Sequence, residues 1–293
     1  MRARSRILTC WLGCACVCAV TMAAGAATAT AAAPVCGTAT GPPGVLVGTY
    51  NSNVIVEGTC LVNSGLAVVR GNLTVMPGGT LVAAFGLNHR GASPAGSSLR
   101  INGNLIGQAG ATLLVGCTPR SFPCIDDTGK PPTLSSRTRV FGNLTSAGTL
   151  STIVHNDTIN GNVSQTGGGG GFNCEPEEHE AFSAYEDTTI NGNVTVQRLE
   201  SCWLGLNRLR VQGNVRIVEN RLFNKDAIEI LANHIGGNLA CRENSMVWNS
   251  AEESFGSLFP RIPMPNTVNG KRSGQCVLAS PETEGGPLGP GPF

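Results

Sequence analysis

The sequence Ile190-Asn191-Gly192-Asn193-Val194 contains the pattern that decides the fold of this chain. The pattern is a β-branched residue, any residue, Gly, Asn, and then Leu or Val. It occurs at seven glycines: Gly71, Gly103, Gly142, Gly161, Gly192, Gly213 and Gly237. Two positions before them stand Val69, Ile101, Val140, Ile159, Ile190, Val211 and Ile235. Two positions after them stand Leu73, Leu105, Leu144, Val163, Val194, Val215 and Leu239. Because every copy matches at both positions, we interpret the pattern as an internal repeat.

The chemistry of the repeat indicates a sharp corner between two short strands. The apolar residues on either side of Gly-Asn are expected to point into a core. We expect the glycine to adopt a positive φ, which a β-branched residue would not tolerate. The asparagine amide both donates and accepts hydrogen bonds. Stacked copies are therefore predicted to form an asparagine ladder along one corner.

The spacing of the repeat distinguishes a solenoid from a set of hairpins. Successive glycines of the repeat are 32, 39, 19, 31, 21 and 24 residues apart. The shorter separations match one turn of a parallel β-solenoid, and the longer ones match one turn with a surface insertion. A helical pattern is missing between the copies, which excludes alternating strands and helices. The sequence thus predicts an all-β fold with a solenoid over residues 45–250, and an aromatic content of 5% suits its narrow core.

The cysteines indicate a disulfide-stabilised protein outside the cytoplasm. The chain has 12 Cys, of which four lie in the first 18 residues and eight follow. An even number of cysteines is typical of disulfides in exported proteins, and the sequence lacks the C-x-x-C spacing of zinc sites. In chain order, the predicted disulfide pairs are Cys36 with Cys60, Cys117 with Cys124, Cys174 with Cys202, and Cys241 with Cys276.

The N-terminal residues have the order of a secretory signal peptide. Arg2, Arg4 and Arg6 precede an apolar run over residues 7–22, and small residues follow. The run is shorter than the roughly 20 residues that span a bilayer. We therefore predict a signal peptide over residues 1–30 and a mature protein that is secreted or held at the cell surface, without a membrane segment.

The remaining segments and the charge complete the predicted organisation. An N-terminal segment covers residues 31–44, a C-terminal cap with Cys276 covers residues 251–280, and a Gly/Pro-rich disordered tail covers residues 281–293. Lys and Arg number 20 against 19 Asp and Glu, so the formal net charge is +1. This balance favours neither nucleic acid nor an acidic membrane as a partner.

The repeat resembles the right-handed parallel β-helix of the pectate-lyase-like superfamily. More narrowly, GNLACREN at residues 237–244 and NTVNGKRSGQC at residues 266–276 are similar to two C-terminal motifs, GNLxCxxN and NxVxGxKxGQC. Those motifs belong to a family of uncharacterised secreted bacterial proteins. Lys271 and Arg272 are displaced slightly from the second motif. The resemblance implies a right-handed coil, and it implies no particular activity.

Counting back from the repeat glycines places four titratable residues on neighbouring turns. Asp157 and Asp187 lie four and five residues before their glycines, while His155 and Glu186 both lie six residues before. We expect the four side chains to lie close together, where they would form a site for a cation or a sugar. Alternatively, these residues cap a turn.

Counting forward from the repeat glycines gives a second set of charged residues. Arg198, Glu219 and Glu243 each lie six residues after their glycine, so we expect them to line up on three successive turns. Opposite charges on adjacent strands stabilise their register. The set is predicted to be either a surface ladder or part of a ligand site.

A glycine-rich insertion contains the candidate metal ligands. Five consecutive glycines at residues 167–171 precede Glu175, Glu177, Glu178 and His179. Three carboxylates and an imidazole are suitable ligands for a divalent ion. The alternative is a solvated acidic loop that is tied down by Cys174.

The sequence favours binding over catalysis. It contains no G-x-S-x-G, Walker or H-E-x-x-H motif, and no cofactor is expected. We predict a secreted or surface β-helix that presents its faces to a cell-wall glycan or to a surface protein. The alternative is a polysaccharide lyase or glycoside hydrolase that uses carboxylates such as Asp157 and Asp187.

Overall fold

The computed structural model describes residues 32–89, 96–172, 174, 181–223, 228–245, 247–249, 252–253, 262–263 and 265–277. The strands are numbered in chain order, and most of them belong to three sheets, A, B and C. Sheet A contains β1 (Val35–Cys36), β4 (Val54–Val56), β7 (Leu73–Val75), β10 (Leu105–Gly107), β13 (Leu144–Ala147), β16 (Val163–Thr166), β19 (Val194–Gln197), β23 (Val215–Val218), β27 (Leu239–Arg242) and β32 (Arg272–Gly274).

Sheet B contains β2 (Gly44–Val45), β5 (Thr59–Leu61), β8 (Thr80–Ala83), β11 (Thr112–Val115), β14 (Ser151–His155), β17 (Phe182–Glu186), β21 (Trp203–Asn207), β25 (Ile228–Leu231) and β28 (Val247–Asn249). Sheet C contains β3 (Gly48–Tyr50), β6 (Leu66–Val69), β9 (Ser98–Ile101), β12 (Arg137–Val140), β15 (Thr158–Ile159), β18 (Thr189–Ile190), β22 (Arg210–Val211), β26 (His234–Ile235) and β31 (Thr267–Val268). Two short pairs complete the described strands: β20 (Glu200–Ser201) with β24 (Arg221–Leu222), and β29 (Glu252–Glu253) with β30 (Ile262–Pro263).

The order of the strands makes the chain a coil with three sides. It passes from sheet A to B to C and then returns to A, and within the three sheets every pairing is parallel. The fold is a right-handed parallel β-helix, which confirms the predicted fold class. In the described residues the three sheets hold strands from Val35 to Gly274, beyond both ends of the segment 45–250.

Aliphatic rows fill the inside of the coil, as the repeat predicted. The β-branched residues before Gly-Asn form an inward row on sheet C, and none is more than 3% exposed. The aliphatic residues after Gly-Asn form the matching row on sheet A, and none is more than 2% exposed. Equivalent residues of successive turns are paired in register, so the hydrophobic effect stabilises the stacking of the turns through these aliphatic rows.

The predicted asparagine ladder runs along the corner between sheets C and A, the C–A corner. The Oδ1 of each ladder asparagine accepts a hydrogen bond from the backbone N–H of the equivalent residue in the following turn, at 2.8–2.9 Å. The ladder asparagines are Asn53, Asn72, Asn104, Asn143, Asn162, Asn193, Asn214 and Asn238. The last donor is Lys271, which occupies the asparagine position of the final corner.

The predicted reason for glycine in the repeat was wrong. None of the seven glycines has a positive φ. Instead, each lies tightly against the preceding turn. A Cβ atom on Gly161 would lie 2.4 Å from Oδ1 of Asn143 and 2.6 Å from the carbonyl oxygen of Gly142. Glycine is therefore required here because the ladder brings two corners into close approach.

The four predicted disulfides are confirmed, with Cα–Cα distances of 5.0–5.6 Å. The Cys117–Cys124 bond closes a small loop within an insertion over residues 117–136, which follows β11. Disulfides are typical of proteins in oxidising compartments. Within the described residues, no helix has the length and apolarity that crossing a bilayer requires.

Candidate functional site

The corner between sheets B and C, the B–C corner, brings together three of the four residues that were expected to be neighbours. His155 at the end of β14 pairs in register with Glu186 at the end of β17. Both side chains are buried, and Nδ1 of His155 lies 3.8 Å from Oε2 of Glu186. Asp187 follows at the corner with a φ of 49°. Asp157 lies in the same corner, but its carboxylate accepts a hydrogen bond from the backbone N–H of Thr138 and is not part of the contacts among these three residues.

Arg208 connects the carboxylates of this corner. Its guanidinium donates to Oε2 of Glu186 and to both carboxylate oxygens of Asp187, at 2.9 and 3.2 Å for the latter pair. The Oγ of Ser121 donates to Oδ2 of Asp187 at 2.7 Å. The sequence analysis missed Arg208, although it lies five residues before Gly213, as Asp187 does before Gly192. Equal offsets place the two residues on adjacent turns.

His155 is part of the anchor for the insertion over residues 117–136. The ring of Phe122 stacks on the imidazole with a centroid distance of 4.6 Å and an interplanar angle of 15°. Burial lowers the pKa of His155 to about 3, so the imidazole is neutral at physiological pH. A buried, neutral imidazole under an aromatic ring packs the insertion against the corner and is not placed to contact a solvent-borne substrate.

Asp157 lies inside the B–C corner and is almost completely buried. Its Oδ1 accepts a hydrogen bond from the backbone N–H of Thr138 in the preceding turn. In the same column, Asn233 accepts from Leu209, and Asn266 accepts from Asn233. Asp157 thus occupies a position that asparagine fills in other turns. Burial raises the pKa of its carboxyl group well above the ordinary value, which favours the protonated acid.

The second predicted set lies along the corner between sheets A and B. Arg198, Glu219 and Glu243 follow equivalent strands of sheet A, and all three have φ values of 54–57°. They border a groove of about 470 Å³ together with Glu200 and Arg221, which belong to paired strands. Arg198 and Glu200 belong to one turn, and Glu219 and Arg221 occupy the equivalent positions of the next. Each position therefore carries opposite charges in these two turns. Whether the groove binds a ligand stays a prediction.

The predicted metal ligands Glu175, Glu177, Glu178 and His179 lie outside the described residues. Among the residues that are described, no group of three or more His, Cys, Asp or Glu side chains is arranged to hold a metal ion. The metal site in the insertion after the five glycines therefore stays a prediction.

The outer face of sheet C has an uneven charge that the sequence analysis did not find. Its nine strands contain four arginines and one histidine but no aspartate or glutamate: Arg100, Arg137, Arg139, Arg210 and His234. All five side chains are exposed and alternate with the buried row. The signal was present in the repeat, because Arg100, Arg139 and Arg210 each stand three residues before a repeat glycine.

A groove lies where this basic face meets the B–C corner. It has a volume of about 380 Å³, and its lining includes His234 and the charged residues Arg120, Arg208, Arg210 and Asp187. Asp187 already binds Arg208 and Ser121. A second groove of about 350 Å³ shares Arg210 and His234 and continues across sheet C. The two grooves therefore form one polar surface around Arg210, and the insertion contributes Arg120 to the first groove.

Comparisons with protein-family models, with curated proteins and with solved structures each gave no match.

Proposed function

We propose that this protein is an extracellular, non-catalytic binding protein for an acidic polysaccharide, which it holds in the groove lined by Arg120, Arg208, Arg210 and His234. The observation that carries the proposal is the distribution of charge on sheet C. The strands of this face contain four arginines and no carboxylate, although the whole chain is nearly neutral. Arginine guanidinium groups are suited to carboxylates and other oxyanions because their donors form a planar fork.

The neutral side chains of the groove support a sugar as the ligand. Thr189 and Gln212 lie beside Arg210 in the continuous groove. Their hydroxyl and amide groups can hydrogen-bond to sugar hydroxyls, while the cations bind the acidic groups.

The alternative, a polysaccharide lyase or glycoside hydrolase, has less support. Asp157 is buried and accepts a backbone hydrogen bond from Thr138. Asp187 is held by Arg208 and Ser121. Two carboxylates that act on one glycosidic bond must both reach it, and these two residues have separate structural partners.

Secretion and family relationship are part of the proposal. The apolar run of residues 7–22 supports a signal peptide, and the four disulfides support export to an oxidising compartment. The parallel β-helix and the C-terminal motifs support a relationship to the pectate-lyase-like superfamily and to the secreted bacterial family. Intact-mass measurement of the exported protein tests the first point: a mature chain that begins near residue 31 is expected.

The test of the proposed function is calorimetric titration of the purified mature protein with a polyuronate, a sulfated galactan and a neutral glucan. We expect the acidic polymers to bind, the glucan not to bind, and added salt to weaken binding because exposed charges are screened. Arg210→Ala should weaken binding at least about tenfold, since a charged hydrogen bond contributes roughly 1.5–3 kcal/mol. The control is Arg216→Ala, which removes the same charge from the outer face of sheet A and should leave binding unchanged. Equal binding of the neutral glucan, or an equal loss in both variants, would contradict the proposal.

A further inference from the structure

The outer face of sheet C contains a second cluster of cations, separate from the groove. It consists of Arg100 on β9 and of Arg137 and Arg139 on β12. Arg100 and Arg139 are partners in the register of the two strands, so their side chains leave the sheet side by side. The cluster belongs to earlier turns than Arg210 and His234.

Two of these guanidinium groups are held in place by contacts within the protein. The guanidinium carbon of Arg100 lies 4.7 Å from the centroid of the Phe141 ring, and its Nε donates to Oδ1 of Asn102 at 3.1 Å. The Nε of Arg137 donates to the carbonyl oxygen of Asn156 at 3.2 Å. A side chain that is already ordered loses less conformational entropy when a ligand binds, so this cluster is preorganised. The exposed ring of Phe141 adds an apolar surface beside the cations.

Uncharged polar residues separate the cluster from the groove. In the outward row of sheet C, Arg139 is followed by Thr158, Thr189 and Arg210 on successive strands. Three strand spacings of about 4.8 Å place Arg139 and Arg210 about 14 Å apart along the axis of the coil. Among the residues of these strands no carboxylate interrupts the row.

We infer that the Arg100–Arg137–Arg139 cluster is a second subsite for the acidic polysaccharide, which lies along the axis of the coil and contacts this cluster and the groove at once. The inference rests on the proposed function and extends it, because it predicts selection by chain length. A polysaccharide that is too short to span both subsites binds only one of them. A polysaccharide that spans both subsites gains affinity without any new kind of contact, because its binding to the second subsite is intramolecular.

The experiment measures dissociation constants for a series of oligouronides of increasing, defined length. We expect a steep gain of at least about tenfold within a narrow range of lengths, as for the linking of two weak sites. The double variant Arg100→Ala/Arg139→Ala should lose this gain, so that its affinity no longer rises steeply with the length of the oligouronide. Arg216→Ala again serves as the control, and circular dichroism establishes that each variant is folded.

The outcomes separate the inference from the function on which it rests. If short oligouronides bind and affinity rises only gradually with length, the second subsite is excluded while the proposed function stands. If the double variant keeps the steep gain, the cluster is also excluded. If oligouronides of every length fail to bind, the proposed function itself is wrong. If duplex DNA of the same contour length binds as tightly as the longest oligouronide, the cations do not select a polysaccharide, and the inference is overturned.

Discussion

The C–A corner and the B–C corner belong to the same turns but differ in almost every side chain. The C–A corner repeats Gly-Asn in seven turns and satisfies its backbone with one ladder. In the B–C corner, the ladder column contains Asp157, Thr188, Leu209 and Asn233 in successive turns. At this corner Asp187 and Arg208 have positive φ values, and the insertion over residues 117–136 packs against the outside of the corner through Phe122. The C–A corner thus has the same structure in turn after turn, whereas the B–C corner presents different side chains in different turns.

The largest effect is expected when the B–C corner loses Arg208. The variant Arg208→Ala deprives the buried Glu186 carboxylate of its guanidinium. Removing one partner of a buried ion pair costs about 3–5 kcal/mol because a charge remains without compensation. Chemical denaturation should show this loss, and adding Glu186→Gln should restore part of it. The exposed Arg216→Ala should change stability by less than about 0.5 kcal/mol. A loss for Arg208→Ala no larger than that control would show that the network does not stabilise the corner.

A smaller loss is expected when the C–A corner loses a glycine. In Gly161→Ala the new Cβ atom meets Oδ1 of Asn143 and the carbonyl oxygen of Gly142, so the turns must separate locally. Such overpacking costs about 3 kcal/mol. The matched control is Gly78→Ala, which has a φ of 73° but no atom within 4 Å of the new Cβ. Its cost should be about 1 kcal/mol, from the backbone alone. Equal unfolding free energies for the two variants would show that close approach is not the reason for glycine in the repeat.

The smallest effect tests whether the B–C corner can be made to resemble the C–A corner. Asp157→Asn keeps the acceptor for the Thr138 N–H and removes the titratable group. Because burial raises the folded-state pKa of Asp157, its stabilising effect is full below the ordinary value of 3.8 and is lost as the pH rises through the folded-state pKa. The variant should therefore match the parent near pH 3 and become more stable than the parent as the pH rises. Thermal melts of both proteins across this pH range measure the difference in stability between them. His155 is present in both proteins, so its contribution cancels in this difference. A difference that does not change with pH would contradict the raised pKa.

The sequence was sufficient for the features that depend on the repeat. The inward rows, the ladder and the neighbouring positions of His155 and Glu186 follow from constant offsets to the repeat glycines. The true reason for glycine did not follow, because a Cβ atom on Gly161 would clash with Asn143, which belongs to the preceding turn and is not a neighbour in the sequence. The offset of four residues for Asp157 and of five for Asp187 places the two aspartates in different columns of the corner, and of the two only Asp157 is buried. Arg120 and Phe122 reach the corner only through packing of an insertion, which no local pattern determines.

Among the residues that the structure describes, the ladder ends at Lys271. Each asparagine offers its Oδ1 to the following turn, but Lys271 stands where the next asparagine would be. A lysine has no oxygen to offer, and its charge is exposed at the final strand edge. Another copy of the chain that approached this end would meet an ammonium group in place of an acceptor. Lysine at a strand edge discourages such pairing, so we expect the side chain at position 271 to oppose end-to-end association of two coils at this edge.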